Sequence, residues 1–339
     1  MRQVVMLDDV REFELWPSKL FDKYLKITEQ EVKRLLIDSD KLVDVSCPGC
    51  NSSRKKKAFK KYGLDYVECI DCRTLYLSPR PSDDQIKRYY AESKSVEFWY
   101  SNIVKETLKS RNIHQSQPRA TWIANLTEEC FQNPKVFVSL NPISPGFLQE
   151  IDNLNLFKTK ILFNPYIKTL KSLTKKENFK IIDGDSIGKS NEINANVVSA
   201  LGVIDRVFSP EKFLNTAKSL LLNGGLLFLT TSTISGFDLQ VLWDKSKSVF
   251  PPDRINLLSI EGLTTLFERN GFEIIELSTP GQLDVELVKN AINENKNIEL
   301  SRFISYLLNN REENAHHSLQ EFLQHYKLSS HVRIAARKK

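Results

Sequence analysis

Pro210-Glu211-Lys212-Phe213-Leu214-Asn215-Thr216-Ala217-Lys218-Ser219-Leu220-Leu221-Leu222-Asn223-Gly224-Gly225-Leu226-Leu227-Phe228-Leu229-Thr230-Thr231 carries two kinds of element in one stretch. Its first part, Pro210–Leu222, has the length of a helix. Asn223-Gly224-Gly225 is a sharp stop of the kind that ends helices, because glycine accepts the left-handed conformation there. Leu226–Thr231 then reads as a short apolar run, the pattern of a strand buried on both faces. Working outward, the same alternation holds from residue 134 on. Further apolar runs fall at Val136–Leu140, Lys160–Phe163, Phe179–Ile182, Val197–Leu201, Glu273–Leu277 and His331–Ala336, with helix-length segments at Phe147–Leu156 and Ile167–Lys175. Such alternation predicts a parallel sheet with helices on both faces. Residues 284–326 interrupt the last two strands with helical material at Val285–Ile292, Leu300–Leu308 and Leu319–Tyr326.

The chain is 339 residues long, enough for two or three domains. Hydrophobic residues make up 41%, which supports a sizeable core and excludes global disorder. The net charge of +6 is a mild excess and does not by itself imply nucleic acid or a membrane surface. The first residues, MRQVVMLDDVREFELW, carry acids early and lack an apolar core, so they do not read as a secretory signal. No apolar run approaches the length that spans a bilayer. The expected location is the cytoplasm.

Ahead of the alternating part stands a different signal. Cys47-Pro48-Gly49-Cys50 is followed, after eighteen residues, by Cys69-Ile70-Asp71-Cys72. Two such knuckles supply four thiolates for a tetrahedral zinc, and four of the five cysteines fall in this pattern. Four protein ligands leave no open position, so Cys47, Cys50, Cys69 and Cys72 predict a structural zinc, with Gly49 relaxing the first knuckle. The expected organisation is a helical lead-in at 1–43, a zinc-binding module at 44–80, a helical connector at 81–133 and the alternating domain at 134–339. In the lead-in, two short amphipathic helices are expected to break near Thr28, with Thr28 and Glu31 as a capping box. The basic run Arg54–Lys61 is expected at a solvated hairpin tip, ahead of phosphate binding. Tyr76–Pro81 is expected to be a stiff linker.

Several stretches resemble class I S-adenosylmethionine-dependent methyltransferases. The closer resemblance is to the zinc-containing group associated with sugar and cell-surface polysaccharide biosynthesis. They are the Cys47–Cys50 and Cys69–Cys72 knuckles with Ser78-Pro79-Arg80-Pro81, Gly202-Val203-Ile204-Asp205-Arg206-Val207-Phe208-Ser209-Pro210, Leu220–Leu227, Gly262–Glu276, and Thr279-Pro280-Gly281-Gln282-Leu283-Asp284-Val285. The resemblance implies a doubly wound, seven-stranded Rossmann-like sheet whose last strand is antiparallel, with residues 284–326 as a helical cap over or beside the carboxyl ends of the strands. It implies a small-molecule or nucleotide-sugar substrate. It also implies cofactor-binding positions at Asn141, Gly146, Asn164 and Asp185, the last of which equally fits a plain turn.

The sequence departs from that family at the cofactor loop. After Val136–Leu140, Asn141, Ile143 and Pro145 stand where the family has glycines, and Ser139 replaces the acid before them. Glycine there permits positive φ and close backbone approach, which Ile and Pro oppose. Asn164 replaces the acid that accepts the ribose hydroxyls, forfeiting a charge-assisted hydrogen bond. Weak or lost binding of S-adenosylmethionine is therefore expected. Among candidate bases, Asp205 comes first, followed by Tyr100, His114 and Asp253. Three functions compete: a methyltransferase with an unusual loop, a non-catalytic binding or assembly partner of the same fold, and, least favoured, a zinc protein that binds nucleic acid.

Overall fold

The computed structural model describes residues 2–6, 10–37, 42–140, 145–164, 178–183, 193–295 and 297–339. Seven strands make the main sheet: β1 (Val136–Leu140), β2 (Thr159–Asn164), β3 (Phe179–Asp183), β4 (Ala195–Leu201), β5 (Leu221–Ser232), β6 (Phe272–Ser278) and β7 (His331–Lys338). Their order is β6-β7-β5-β4-β1-β2-β3. Neighbours from β5 through β3 are parallel. β7 is antiparallel to both β5 and β6, as expected of the last strand.

The period of two sorts each strand between two cores. Val138, Leu140, Val198, Ala200, Leu227 and Leu229 face one side, where Leu214, Ala217, Leu263 and Phe267 cover them. Phe137, Val197, Leu226 and Phe228 face the other, against Trp122, Ile123, Leu126 and Leu148. Trp122 stands edge-on to Phe228 at 5.0 Å. Helix Gln117–Cys130, at the end of the connector, is therefore part of the sheet's own core.

Four expectations need correction. Pro210–Leu220 is the helix, and β5 already begins at Leu221, which pairs with Ala195. The Asn223-Gly224-Gly225 segment is then a register irregularity inside the strand, with Gly224 at φ +77°. Across the break expected near Thr28 runs one continuous helix, Ser18–Leu35. Thr28 is fully buried within it, and Glu31 bonds Arg34 and the Lys94 N–H instead of capping. Burial of one apolar face outweighs the local break signal. The basic run is a strand, Lys55–Lys61, paired with Leu64–Cys69. Lys56 meets Glu68 at 2.8 Å, Lys60 meets Asp65 at 3.4 Å, and Lys61 donates to the Ser246 carbonyl at 2.6 Å, so much of the positive charge is answered within the protein. Tyr76–Pro81 is no linker. Leu75–Leu77 pairs with Asn256–Leu257 of the large domain, and Arg80 is buried. The expected helix Ile167–Lys175 lies outside the described residues.

The insertion consists of helices Asp284–Glu294, Arg302–Asn310 and Glu313–His325. Val285, Val288, Leu308 and Leu323 pack there with Leu242. Among the described residues, no helix is long and apolar enough to cross a membrane.

Candidate functional site

The carboxyl ends of β1, β4 and β5 open into a cavity of about 310 Å³, where Ser139, Leu140, Leu201, Gly202, Thr230 and Thr231 form the sheet side. Open parallel sheets bind ligands at this edge, and the volume matches a compact small molecule. Leu15, Trp16 and Phe21 of the lead-in, with Trp99 and Phe250, close it from above. Asp284 and Leu287 bring the start of the insertion to its rim, next to Leu283.

Asp205 stands in the turn after β4 and is 1% exposed. Its carbonyl accepts from the N–H groups of Ile255 and Asn256 at 2.9 and 3.1 Å, which fixes the turn. Its Oδ2 pairs with Arg254 at 2.8 Å, and its Oδ1 is buried without a partner among the described residues. Burial raises its pKa, Arg254 and Arg206 oppose that rise, and Asp253 adds to it. Asp253 lines the same cavity but is committed elsewhere. It pairs with Arg206 at 3.3 Å and accepts from the Tyr24 and Tyr90 hydroxyls at 3.2 and 2.9 Å. Tyr100 is buried nearby, and burial pushes its phenol up to about 12, so near neutral pH it is a hydroxyl and not a base. His114 also lines the cavity. Three of the four candidate bases, Asp205, Asp253 and His114, thus line one cavity, and Asp205 Oδ1 is without a partner among the described residues.

A second carboxyl pair escaped sequence reasoning. Asp238 and Asp284, each 1% exposed, both line the cavity. Asp284 accepts from the Ser330 N–H at 2.6 Å, the Ser329 hydroxyl at 2.5 Å and the Gln320 amide at 2.9 Å. Burial, and then the neighbouring Asp284, holds the Asp238 carboxyl well above the ordinary carboxylate range. Asp238 Oδ1 has no hydrogen-bond partner among the described residues. Nothing local marks Asp238, because it meets Asp284 only through the fold.

Of the cofactor positions, Asn141 and Asp185 lie outside the described residues. Asn164 ends β2, in register with Asp183 of β3. Gly146 lies in the first turn of helix Pro145–Asn153. A Cβ there would sit 2.8 Å from Asn112 Oδ1 and 3.1 Å from Ser116 Oγ. Asn112 is held in place by its amide, which donates to Glu150 Oε1 at 2.9 Å. The missing side chain makes room for the connector.

Residues 99–277, more than half of the chain, match the family model described as a methyltransferase domain. The chain belongs to that methyltransferase-domain family. No curated protein matches it. Similar solved structures include the plantazolicin methyltransferase in complex with SAH, at 11% identity and TM-score 0.46, covering 75% of this chain and 94% of that one. A SAM-dependent methyltransferase of Archaeoglobus fulgidus is 13% identical at TM-score 0.45, covering 71% of this chain and 100% of that one. One from Thermotoga maritima is 16% identical at TM-score 0.43, with 71% and 98% covered.

In front of this methyltransferase domain, the four cysteines of the two knuckles come together, with their Sγ atoms within 4.8 Å of one another. Cys47 and Cys72 are 3.5 Å apart, as are Cys50 and Cys69. A tetrahedron with Zn–S of about 2.3 Å has edges of about 3.8 Å, so the donor set fits zinc. No cysteine is in a disulfide. The knuckles are docked on the methyltransferase domain. Arg269 donates to the Gly49 carbonyl at 3.2 Å, and Ser259 donates to the Cys72 carbonyl. A Cβ at Gly49 would come within 2.9 Å of the Gly262 backbone, so Gly49 serves this close approach rather than relaxing the knuckle itself.

Proposed function

We propose that this methyltransferase-domain protein acts in the cytoplasm, in sugar or cell-surface polysaccharide biosynthesis. Its cavity receives a small molecule, its affinity for S-adenosylmethionine is weak or lost, and Cys47, Cys50, Cys69 and Cys72 hold a structural zinc. The observation that carries the reading is Asn112 standing over Gly146. The replacement of the family glycines by Asn141, Ile143 and Pro145 supports it from the sequence. The pathway rests on the resemblance of the zinc knuckles and of the Thr279–Val285 segment. The cavity residues supply recognition. Asp205 Oδ1 and Asp238 Oδ1 offer acceptors to ligand hydroxyls, and Ser139, Thr230 and Thr231 add further polar groups. Asp205 is the first candidate for a base, since its raised pKa brings it closer to working pH.

Isothermal titration with S-adenosylmethionine tests the reading. The expected result is no saturable heat below about 1 mM ligand, weaker than about −4 kcal/mol. A micromolar dissociation constant abolished by Asp185→Ala would overturn it. The converse variant restores glycine at 141, 143 and 145, adds Asn164→Glu, and clears the turn with Asn112→Ala. It is expected to bind measurably better.

A further inference from the structure

We infer that the cavity is built for an anion: a small molecule that places a carboxylate or phosphate between Arg111 and Arg119. The inference rests on the reading that this cavity is the binding site. Five arginines line it: Arg111, Arg119, Arg206, Arg254 and Arg333. Three are matched to acids. Arg206 meets Asp253, Arg254 meets Asp205 at 2.8 Å, and Arg333 meets Glu276 at 2.6 Å. Arg111 has only neutral partners: it donates to the Thr107 hydroxyl at 2.7 Å and to the Leu15 carbonyl, and its guanidinium lies 5.2 Å from the Trp99 ring centroid. Arg119 has no hydrogen bond or ion pair among the described residues.

Two cations that line one cavity without a counter-ion repel each other, more strongly where burial lowers the effective dielectric. Burial, and then Arg119, lowers the pKa of Arg111. The field reaches across the cavity: His331, which also lines it, is pushed down to about 3 by burial and then by Arg119, Arg333 and Arg254. Asp238 and Asp284 also line the cavity, but neither forms an ion pair with Arg111 or Arg119 among the described residues; Asp284 accepts from Ser329, Ser330 and Gln320. An anion between the two arginines relieves the repulsion and accepts from planar N–H forks that match carboxylate and phosphate geometry. Stacking and hydrogen bonding already orient Arg111, so little side-chain freedom remains to be lost on binding.

The experiment is calorimetric titration of the full chain with inorganic phosphate, glucose 1-phosphate and glucuronate. The variants are Arg111→Gln, Arg119→Gln, Arg119→Lys and, as an exposed control, Arg88→Gln, with melting curves to check folding. Wild type is expected to bind one probe class, the phosphates or the carboxylate. Arg119→Gln and Arg111→Gln are each expected to weaken that binding at least about tenfold, the effect of losing one charge-assisted bond. Arg119→Lys should retain part of it, and Arg88→Gln should leave it unchanged. No binding by wild type, or equal binding in the glutamine variants, overturns the inference while leaving the cofactor reading intact. If wild type binds S-adenosylmethionine tightly and Arg119→Gln abolishes that, the arginines serve the cofactor's own carboxylate and both readings fall.

Discussion

Replacing Arg80 by methionine is expected to loosen the turn that carries Asp205, although the two residues are far apart in sequence. Arg80 is 1% exposed. Its Nε donates to the Leu77 carbonyl at 3.0 Å, and its Nη1 donates to the Phe208 carbonyl and to Asn256 Oδ1, both at 2.8 Å. Asn256 passes the tie on, donating to the carbonyls of Val207 at 2.7 Å and Ile204 at 3.1 Å. Arg80→Met leaves three buried acceptors short of a donor, at about 1–3 kcal/mol each. Part of that is offset, because burial makes the cation itself costly: it pushes the Arg80 pKa down to about 10. A net loss of about 3–5 kcal/mol is expected, as when one member of a buried charged contact is removed. At roughly 2 °C per kcal/mol in a chain of this size, melting should fall by about 6–10 °C. Hydrogen exchange at residues 204–208 should accelerate as well. Arg80→Lys, a point charge without the fork, should fall between the two. A melting point within about 2 °C of wild type, with unchanged exchange at 204–208, would refute the reasoning.

Protein purified without chelator should contain one zinc per chain by native mass spectrometry. Cys69→Ser should lower both the metal content and the melting temperature, and metal-free protein that melts like wild type would count against a structural zinc. Asp238→Asn should stabilise the protein above neutral pH. The folded pKa of Asp238 is raised, so the native state holds the proton that the unfolded state releases, and wild-type stability falls as pH climbs out of the ordinary carboxylate range. Asparagine cannot titrate, so the gain should shrink as pH drops toward about 4 and should be absent below it. An equal gain at pH 4 and pH 8 would show that titration is not its cause.

The sheet was legible in the sequence because buried parallel strands are continuous apolar runs: Val136–Leu140 is the same run in the sequence and in the structure, and the other runs shift by a few residues at their ends. The zinc ligands were legible because Cys-x-x-Cys spacing is local. Asp205 stood out only through a resemblance, and its partner Arg254 only through the fold. What tertiary structure alone decided are the contacts between distant segments. Thr28 reads as a helix break, but burying one face keeps Ser18–Leu35 continuous. The lysines of Lys55–Lys61 read as a solvated hairpin tip; Lys56, Lys57 and Lys60 are exposed, but on a strand that brings Glu68 and Asp65 within reach. Gly146 reads as a cofactor position by resemblance, and only the fold brings Asn112 against it. Asp238 meets Asp284 because separate segments converge on one cavity, whereas Arg111 and Arg119 reach it from one helical stretch. A chain's pattern fixes the period of each element and its apolar face. Which polar groups then share a low-dielectric space depends on how those elements pack, and there charge and hydrogen bonding count for most.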